Sequence, residues 1–192
     1  MTRSEELLCV SRAVAKDGLA YRKLIEPYLP LLYRIAARQS VDRGLIDDIV
    51  QETLIVTYEK LHRYRPDASF KAFIAGIAVR KAHSMRRSIF RRRQRETAYD
   101  MPSHHHETPE HHYQTRRTMD ALHRAIESLP TKQRQALVLR LDAQLSHAHI
   151  AQTLGTSEGS VRVLIHKACK HLNHELGSIN HEEHYAVIPS PL

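Results

Sequence analysis

Apolar residues recur every three to four positions through most of the chain, and no stretch keeps the strict alternation of a half-buried strand. The pattern predicts an all-α protein. A first helical segment over residues 21–38 aligns Leu24, Ile25, Tyr28, Leu31, Leu32 and Ile35 on one stripe, with Pro27 and Pro30 placed to bend its early part. A second, over residues 46–61, turns Ile46, Ile49, Val50, Thr53, Leu54 and Leu61 inward and leaves Asp47, Asp48, Gln51, Glu52 and Glu59 outside. After a turn at Arg65-Pro66-Asp67, a third carries Phe70, Phe73, Ile74, Ile77, Ala78, Ala82 and Met85 at the helical period. Periodicity fails over residues 96–117, which are polar, contain Pro102 and Pro109, and read as a flexible linker. It resumes with Met119, Leu122, Ile126 and Leu129; Pro130 interrupts, Thr131 is placed to cap, and Ala136, Leu137, Leu139 and Leu141 follow.

The most informative stretch is residues 145–172, which reads as a helix-turn-helix with a basic second helix. Ile150, Ala151 and Leu154 share a face, Gly155 suits the positive φ of a helix end, and Ser157 suits the cap of the next helix. That second helix turns Val161, Leu164, Ile165, Ala168 and Leu172 inward and leaves Ser160, Arg162, His166, Lys167 and Lys170 on other faces. Such outward groups can meet phosphates and base edges; the alternative is an ordinary helical hairpin with a solvated basic face.

Charge points the same way. Lys and Arg number 29 against 21 Asp and Glu, a formal net charge of +8, which suits a nucleic-acid partner without requiring one. Much of the excess sits in residues 80–95, where Arg80, Lys81, Arg86, Arg87, Arg91, Arg92, Arg93 and Arg95 meet no acid. Such a run repels itself unless phosphates are near, and its binding should depend strongly on salt. The acids at the start of residues 46–61 suit a positive helix N-terminus, and equally a docking face for a basic partner.

Other chemistries find little support. Gly155-Thr156-Ser157-Glu158-Gly159 matches G-x-S-x-G, but a nucleophile elbow needs a preceding strand and a helical pattern precedes it here. No phosphate-binding G-x-x-x-x-G-K loop and no H-E-x-x-H pair occurs, so neither an enzyme nor a cofactor is expected. His104, His105, His106, His111 and His112 lie with Glu107 and Glu110 in the linker, and His181 and His184 follow in the tail. Histidine tracts bind transition metals, but a flexible one offers no fixed geometry, and a solvated spacer is the favoured reading. Cys9 and Cys169 are too isolated for a disulfide framework. Nothing approaches a membrane-spanning run, and the start MTRSEELLCV lacks the layout of a secretory signal, so a cytoplasmic protein is expected.

At this point the residues carry a resemblance. LPTKQRQALVLRLDAQLSHAHIAQTLGTSEGSVRVLIHKACKHL resembles promoter-binding region four of bacterial RNA polymerase sigma factors. YLPLLYRIAARQSVDRGLIDDIVQETLIVTYEKLHRYRPDASFKAFIAGIAVRKAHSMRR resembles their region two. Order and linker fit the small extracytoplasmic-function (ECF) group of the sigma-70 family. The resemblance implies a region 2 over residues 1–95, a linker over 96–117, a region 4 over 118–176 and a tail over 177–192. It also implies transcription initiation without covalent chemistry. Asp47, Asp48, Gln51 and Glu52 would dock on core RNA polymerase, whose β′ and β subunits are the expected partners, with an anti-sigma factor as regulator. Arg80, Lys81, His83, Ser84, Arg86 and Arg87 would grip the minus-ten element and help capture an unstacked base. Gly159, Ser160, Arg162, His166 and Lys167 would read the minus-thirty-five element, Arg162 on a base edge and Lys167 on a phosphate. The chain departs from the family pattern at His149, where an acid is frequent, at Phe73, where tryptophan is usual, and at Ser84, where aspartate is frequent. A stand-alone helix-turn-helix regulator would leave the DDIVQETL face unexplained.

Overall fold

The computed structural model describes residues 1–39, 44–96 and 113–177, and the regular structure among them is all helical. The chain opens with a helix the periodicity did not suggest, α1 (Arg3–Val14). Its start is fixed by a capping box: Thr2 Oγ1 accepts from the Glu5 amide, and the Glu5 carboxylate accepts from the Thr2 amide. Asp17 caps α2 (Gly18–Ile25), and a single 3₁₀ turn, Glu26–Tyr28, leads into α3 (Leu29–Gln39). This turn is the bend expected from the prolines. Pro27 is the second residue of the turn and Pro30 falls in the first turn of α3, where a missing N–H goes unfelt.

Next come α4 (Gly44–Lys60), a 3₁₀ turn at Leu61–Arg63, and the long α5 (Phe70–Glu96). Thr53 and Thr57 lie fully buried on the inner side of α4, their hydroxyls donating to the carbonyls of Ile49 and Thr53 at 2.7 Å, so no donor is left bare. Ile46 and Leu54, expected inside, are only partly buried. Around Leu24, Leu32, Ile35, Ile49, Phe70 and Ile74 the first five helices share one core.

The C-terminal helices are α6 (Tyr113–Ser128), α7 (Thr131–Leu141), α8 (His147–Leu154) and α9 (Glu158–Gly177). Helix takes in both ends of the expected linker, since α5 runs to Glu96 with no breaker before it and α6 begins at Tyr113. Residues 97–112, and with them the histidines weighed as metal ligands, lie outside the described residues, as do His181 and His184. Pro130, not Thr131, holds the N-cap position of α7; its carbonyl accepts the Arg134 amide, and Thr131 is already helical. Leu141 is 50% exposed because α7 ends there and turns away. The helix-turn-helix forms as predicted. Ser146 caps α8, Gly155 ends it at φ 64, and Ser157 Oγ accepts the Ser160 amide at 3.1 Å.

The two halves do not stand apart. Every residue of α5 from Ile74 to Val79 is buried, which one face of a helix cannot account for. One side of α5 packs on α3 and α4, and the other on α7 and α8. Ala136, Val138, Leu139, Ile150, Ala151, Val161 and Ile165 thus join the core of the N-terminal helices. A small second cluster, with Ile126, Leu129, Leu137 and Leu172, ties α6 and α7 to α9.

Candidate nucleic-acid interface

Three surfaces carry the residues singled out by sequence. On α4, Asp47, Asp48 and Gln51 are exposed or partly exposed, as is Glu52. A hydrogen bond from the Tyr33 hydroxyl to the Asp47 carboxylate pushes the tyrosine's pKa up. Glu52 faces α5, where its Oε2 lies 2.8 Å from Lys81 Nζ. An acid of the expected docking face and a cation of the expected minus-ten segment therefore neutralise each other across two packed helices.

The second surface lies along α5 and the loop before it. A cleft of about 540 Å³ is lined by Arg63, Tyr64, Arg65, Phe73 and Arg80 on the side of α5, and by His149, Gln152 and Thr153 of α8 on the other. Its loop is held by α1. Arg3 donates to the Tyr64 hydroxyl at 2.9 Å and to the Ala68 carbonyl at 2.7 Å, and also bonds the Pro66 carbonyl. Tyr64 OH donates in turn to the Ala68 carbonyl at 2.9 Å. Tyr64, buried in the core at 7% exposure, meets the partly buried Phe73 as tilted rings with centroids 5.5 Å apart, so Phe73 is the aromatic edge that stands beside the arginines. Such a cleft can take a flat, apolar-faced group attached to anionic backbone.

Of the α5 residues expected at the minus-ten element, Arg80, Ser84 and Arg87 are exposed, and Lys81 pairs with Glu52. Arg80 Nη1 donates to the Thr153 carbonyl at 3.0 Å, and Arg86 Nη1 to the Glu127 carbonyl at 3.4 Å. Burial pulls the pKa of both guanidiniums down. His83 is partly buried, its Nδ1 has no hydrogen-bond partner, and its pKa is depressed first by burial and then by Arg86, Arg134 and Arg87. His83 therefore sits in the seam between the halves rather than in solvent.

The third surface is the start of α9. Gly159, Ser160, Arg162, His166 and Lys167 are all exposed, while Val161, Ile165, Ala168 and Leu172 are buried as the period required. Ser160 Oγ lies 2.9 Å from Ser157 Oγ and so belongs to the cap as well as to the face.

Two features escaped the sequence reading. Arg134 is 1% exposed, donates through Nη1 to the Glu127 carbonyl at 3.0 Å, and leaves Nε and Nη2 without partners. Burial, reinforced by Arg86, lowers its pKa to about 10. The signal was present, since Arg134 shares a helical face with Leu137 and Val138. The other is an ion pair between the halves, with Arg38 Nε 2.8 Å from Asp142 Oδ2. No local pattern joins positions so far apart in sequence.

Known proteins give the same architecture. Residues 24–95 match the Sigma-70 region 2 family and residues 119–172 match Sigma-70, region 4. The ECF RNA polymerase sigma factor SigD of Mycobacterium tuberculosis (strain ATCC 25618 / H37Rv) is 32% identical over 177 residues, covering 87% of this chain and 82% of that protein. The chain is an ECF sigma factor of the sigma-70 family. ShbA of Streptomyces griseus, another ECF sigma factor, is 29% identical over 174 residues, covering 85% of this chain and 91% of that one. Among solved structures, CnrH in complex with the cytosolic domain of CnrY superposes with a TM-score of 0.68 at 20% identity, over 91% of this chain and 98% of that chain. RpoE of Bartonella quintana, bound to the anti-sigma factor NepR, gives 0.63 at 22% identity, over 82% and 96%. These two share the fold of this sigma factor. As a member of the family it is a transcription initiation factor, with α1–α5 containing region 2 and α6–α9 containing region 4. Among the described residues no helix is long and apolar enough to cross a membrane.

Proposed function

We propose that this sigma factor divides its work among the three surfaces and catalyses no reaction itself. The observation that carries this is their separation by charge: an acidic, amide-bearing face on α4, a cationic and aromatic cleft at α5, and an exposed basic start on α9. Asp47, Asp48, Gln51 and Glu52 dock on core RNA polymerase, because exposed acids steer toward a basic partner and cost little to desolvate at a rim. Arg80, Lys81, His83, Ser84, Arg86 and Arg87 serve the minus-ten element, with phosphate contacts from the cations and a base against Phe73 in the cleft. Gly159, Ser160, Arg162, His166 and Lys167 serve the minus-thirty-five element: α9 enters the major groove, Arg162 reads a base edge and Lys167 holds a phosphate. CnrH and RpoE were solved with CnrY and NepR bound, and an anti-sigma factor is accordingly the proposed regulator of this chain.

The test is reconstitution with core RNA polymerase on a library of promoter fragments, read as run-off transcripts. Discrete transcripts that vanish without the protein are expected. DNA binding by the chain alone, with no promoter-specific transcript from the mixture, would instead mark a stand-alone regulator.

A further inference from the structure

The loop before α5 borders two hollows. Arg65, Asp67, Ala68 and Ser69 line the cleft. Asp67, Ala68 and Ser69 also line a second hollow of about 430 Å³, together with Arg3, Glu6 and Tyr28. Arg65, Pro66 and Asp67 are exposed, and Ala68 and Ser69 are only partly buried, so apolar packing does little to fix the loop's shape. Its own backbone closes a turn from the Ala68 amide to the Arg65 carbonyl at 3.0 Å.

The further hold comes from α1. Arg3, Tyr64 and the Ala68 carbonyl close a ring of three hydrogen bonds. Arg3 Nη1 donates to the Tyr64 hydroxyl at 2.9 Å, that hydroxyl donates to the Ala68 carbonyl at 2.9 Å, and Arg3 Nη2 donates to the same carbonyl at 2.7 Å. Nη2 also donates to the Pro66 carbonyl. One planar fork therefore fixes two loop carbonyls and the tyrosine that precedes them, a geometry that an ammonium on a flexible stem does not reproduce. The fork is itself oriented. Glu6, 8% exposed, accepts from Arg3 Nη1 and, at 2.6 Å, from the Tyr28 hydroxyl. Tyr28 leans on Phe70 with ring centroids 5.3 Å apart, and Phe70 on Phe73 at 6.0 Å. The loop and the aromatic edge of the cleft are thus both referenced to α1. Arg3 lines the second hollow and not the cleft, so its influence on what the cleft takes passes through the loop.

We propose that Arg3 is a positioning residue for base selection: by setting the curve of the loop it fixes where Arg65 and Asp67 stand around an unstacked minus-ten base, and so brings α1 into promoter choice without contact with DNA. This rests on the reading of the cleft as the minus-ten surface. Hydrogen-bond readout of a base edge is steep in distance and angle, so a loop released from Arg3 still meets a base but tells bases apart less well. The test uses holoenzyme reconstituted from core RNA polymerase and the full chain, on promoters randomised over the minus-ten and minus-thirty-five elements, with active ones read as run-off transcripts. Arg3→Gln removes the fork, and Arg3→Lys keeps the charge beside Glu6. Both should lower the preference for the favoured minus-ten base by about fivefold or more at one or two adjacent positions, the low end of what a single mismatched base pair costs. Minus-thirty-five selection and core binding should stay parental. Tyr64→Phe opens the same ring of bonds, so it should relax the same positions and add little to Arg3→Gln, as members of one network do.

Unchanged minus-ten selection in Arg3→Gln, whether or not total transcription falls, makes Arg3 a staple of the fold alone and overturns the proposal, as does parental selection in Arg3→Lys. Failure of the minus-ten reading has its own signature. Arg65→Ala removes an exposed cation of the cleft and leaves the bonds of Arg3 in place. If the cleft does not take the minus-ten strand, that variant too keeps parental selection and parental transcription at every promoter. Altered output from Arg65→Ala beside unchanged selection in Arg3→Gln rejects the role of Arg3 and leaves the cleft assigned.

Discussion

Removing Arg38 from the inter-domain pair tests whether Asp142 is held as an ion in a poorly solvated place. Asp142 is buried, its side chain 3% exposed, and its carboxyl pKa lies above the ordinary carboxylate value because burial outweighs the opposing pull of Arg38 and Arg34. Stripping a fully buried ion of its partner costs about 3–5 kcal/mol. Arg38 keeps 34% of its side-chain exposure, so water already screens part of the attraction and Arg38→Ala should cost about 2 kcal/mol at neutral pH. For a chain of this size that is a fall in Tm of about 4–8 °C, at roughly 2–4 °C per kcal/mol. The sign of the pH dependence follows from the raised carboxyl pKa. Such a group contributes most stability when protonated, and that contribution is lost as pH rises through the folded-state pKa. Without Arg38 this pKa rises further, so the deficit of the variant should be full at about pH 7.5 and shrink toward about pH 5 as Asp142 takes a proton. Urea unfolding followed by circular dichroism at both pH values, with Asp142→Asn as the charge-free reference, makes the comparison. An equal deficit at both pH values, or one that persists when Arg38→Ala is combined with Asp142→Asn, would show that Arg38 acts through packing alone.

On the α4 face, Asp48→Arg with Glu52→Arg should abolish core-polymerase binding while the far-ultraviolet spectrum stays helical, since surface changes cost little stability; retained affinity rejects the docking assignment. Arg87→Ala with Arg91→Ala, both exposed, should lower the salt slope of promoter binding by about 1.8 units, at roughly 0.9 per phosphate contact, and an unchanged slope makes them a solvated helix end. Arg162→Ala should cost about 1–3 kcal/mol on the preferred promoter and relax selection at one upstream base, whereas Lys167→Ala should weaken all promoters alike; selection from a randomised upstream library separates the two. Arg134→Met, which replaces a cation with two bare donors by an apolar chain of similar length, should leave stability unchanged or raise it by about 1–2 kcal/mol, and a clear loss in urea unfolding refutes the view that the bare donors cost stability.

The helix-turn-helix was legible to the residue. Gly155 at positive φ and Ser157 at the cap are local requirements, met within a few positions of chain. The acidic face of α4 and the exposed face of α9 were legible too, because a helical period assigns faces without any knowledge of the partner. What escaped depends on neighbours distant in sequence. The first helix, α1, turns Cys9, Val10 and Ala13 inward but leaves Leu8 60% and Val14 44% exposed, so its apolar residues do not fall on one stripe. Its Arg3 nonetheless fixes the loop that lines the cleft. The cap of α7, expected at Thr131 and found at Pro130, was misplaced for a smaller reason: the ends of a helix depend on where neighbouring elements lead the chain.

The largest gap concerns α5, and it bears on function. Periodicity gave α5 one apolar face, and Phe70, Ile74, Ile77, Ala78 and Ala82 are indeed buried there. Ala72, Ala75 and Val79 are equally buried, although they lie on other sides of the helix. Small side chains leave no stripe to notice, because Ala and Gly carry little hydrophobic signal, yet they are what lets another helix come close. Gly76 and its alanine neighbours make α5 approachable from a second side, and α8 takes that side. Immediately beyond this apolar stretch the cations begin, so Arg80 and Arg86 emerge where the packed zone meets solvent. One helix thus serves as the central support of both halves and as the surface assigned to the minus-ten strand. The two roles meet at Arg80 and Arg86, each of which gives one Nη1–H to a region 4 carbonyl and, having five N–H donors, keeps others that a phosphate can take.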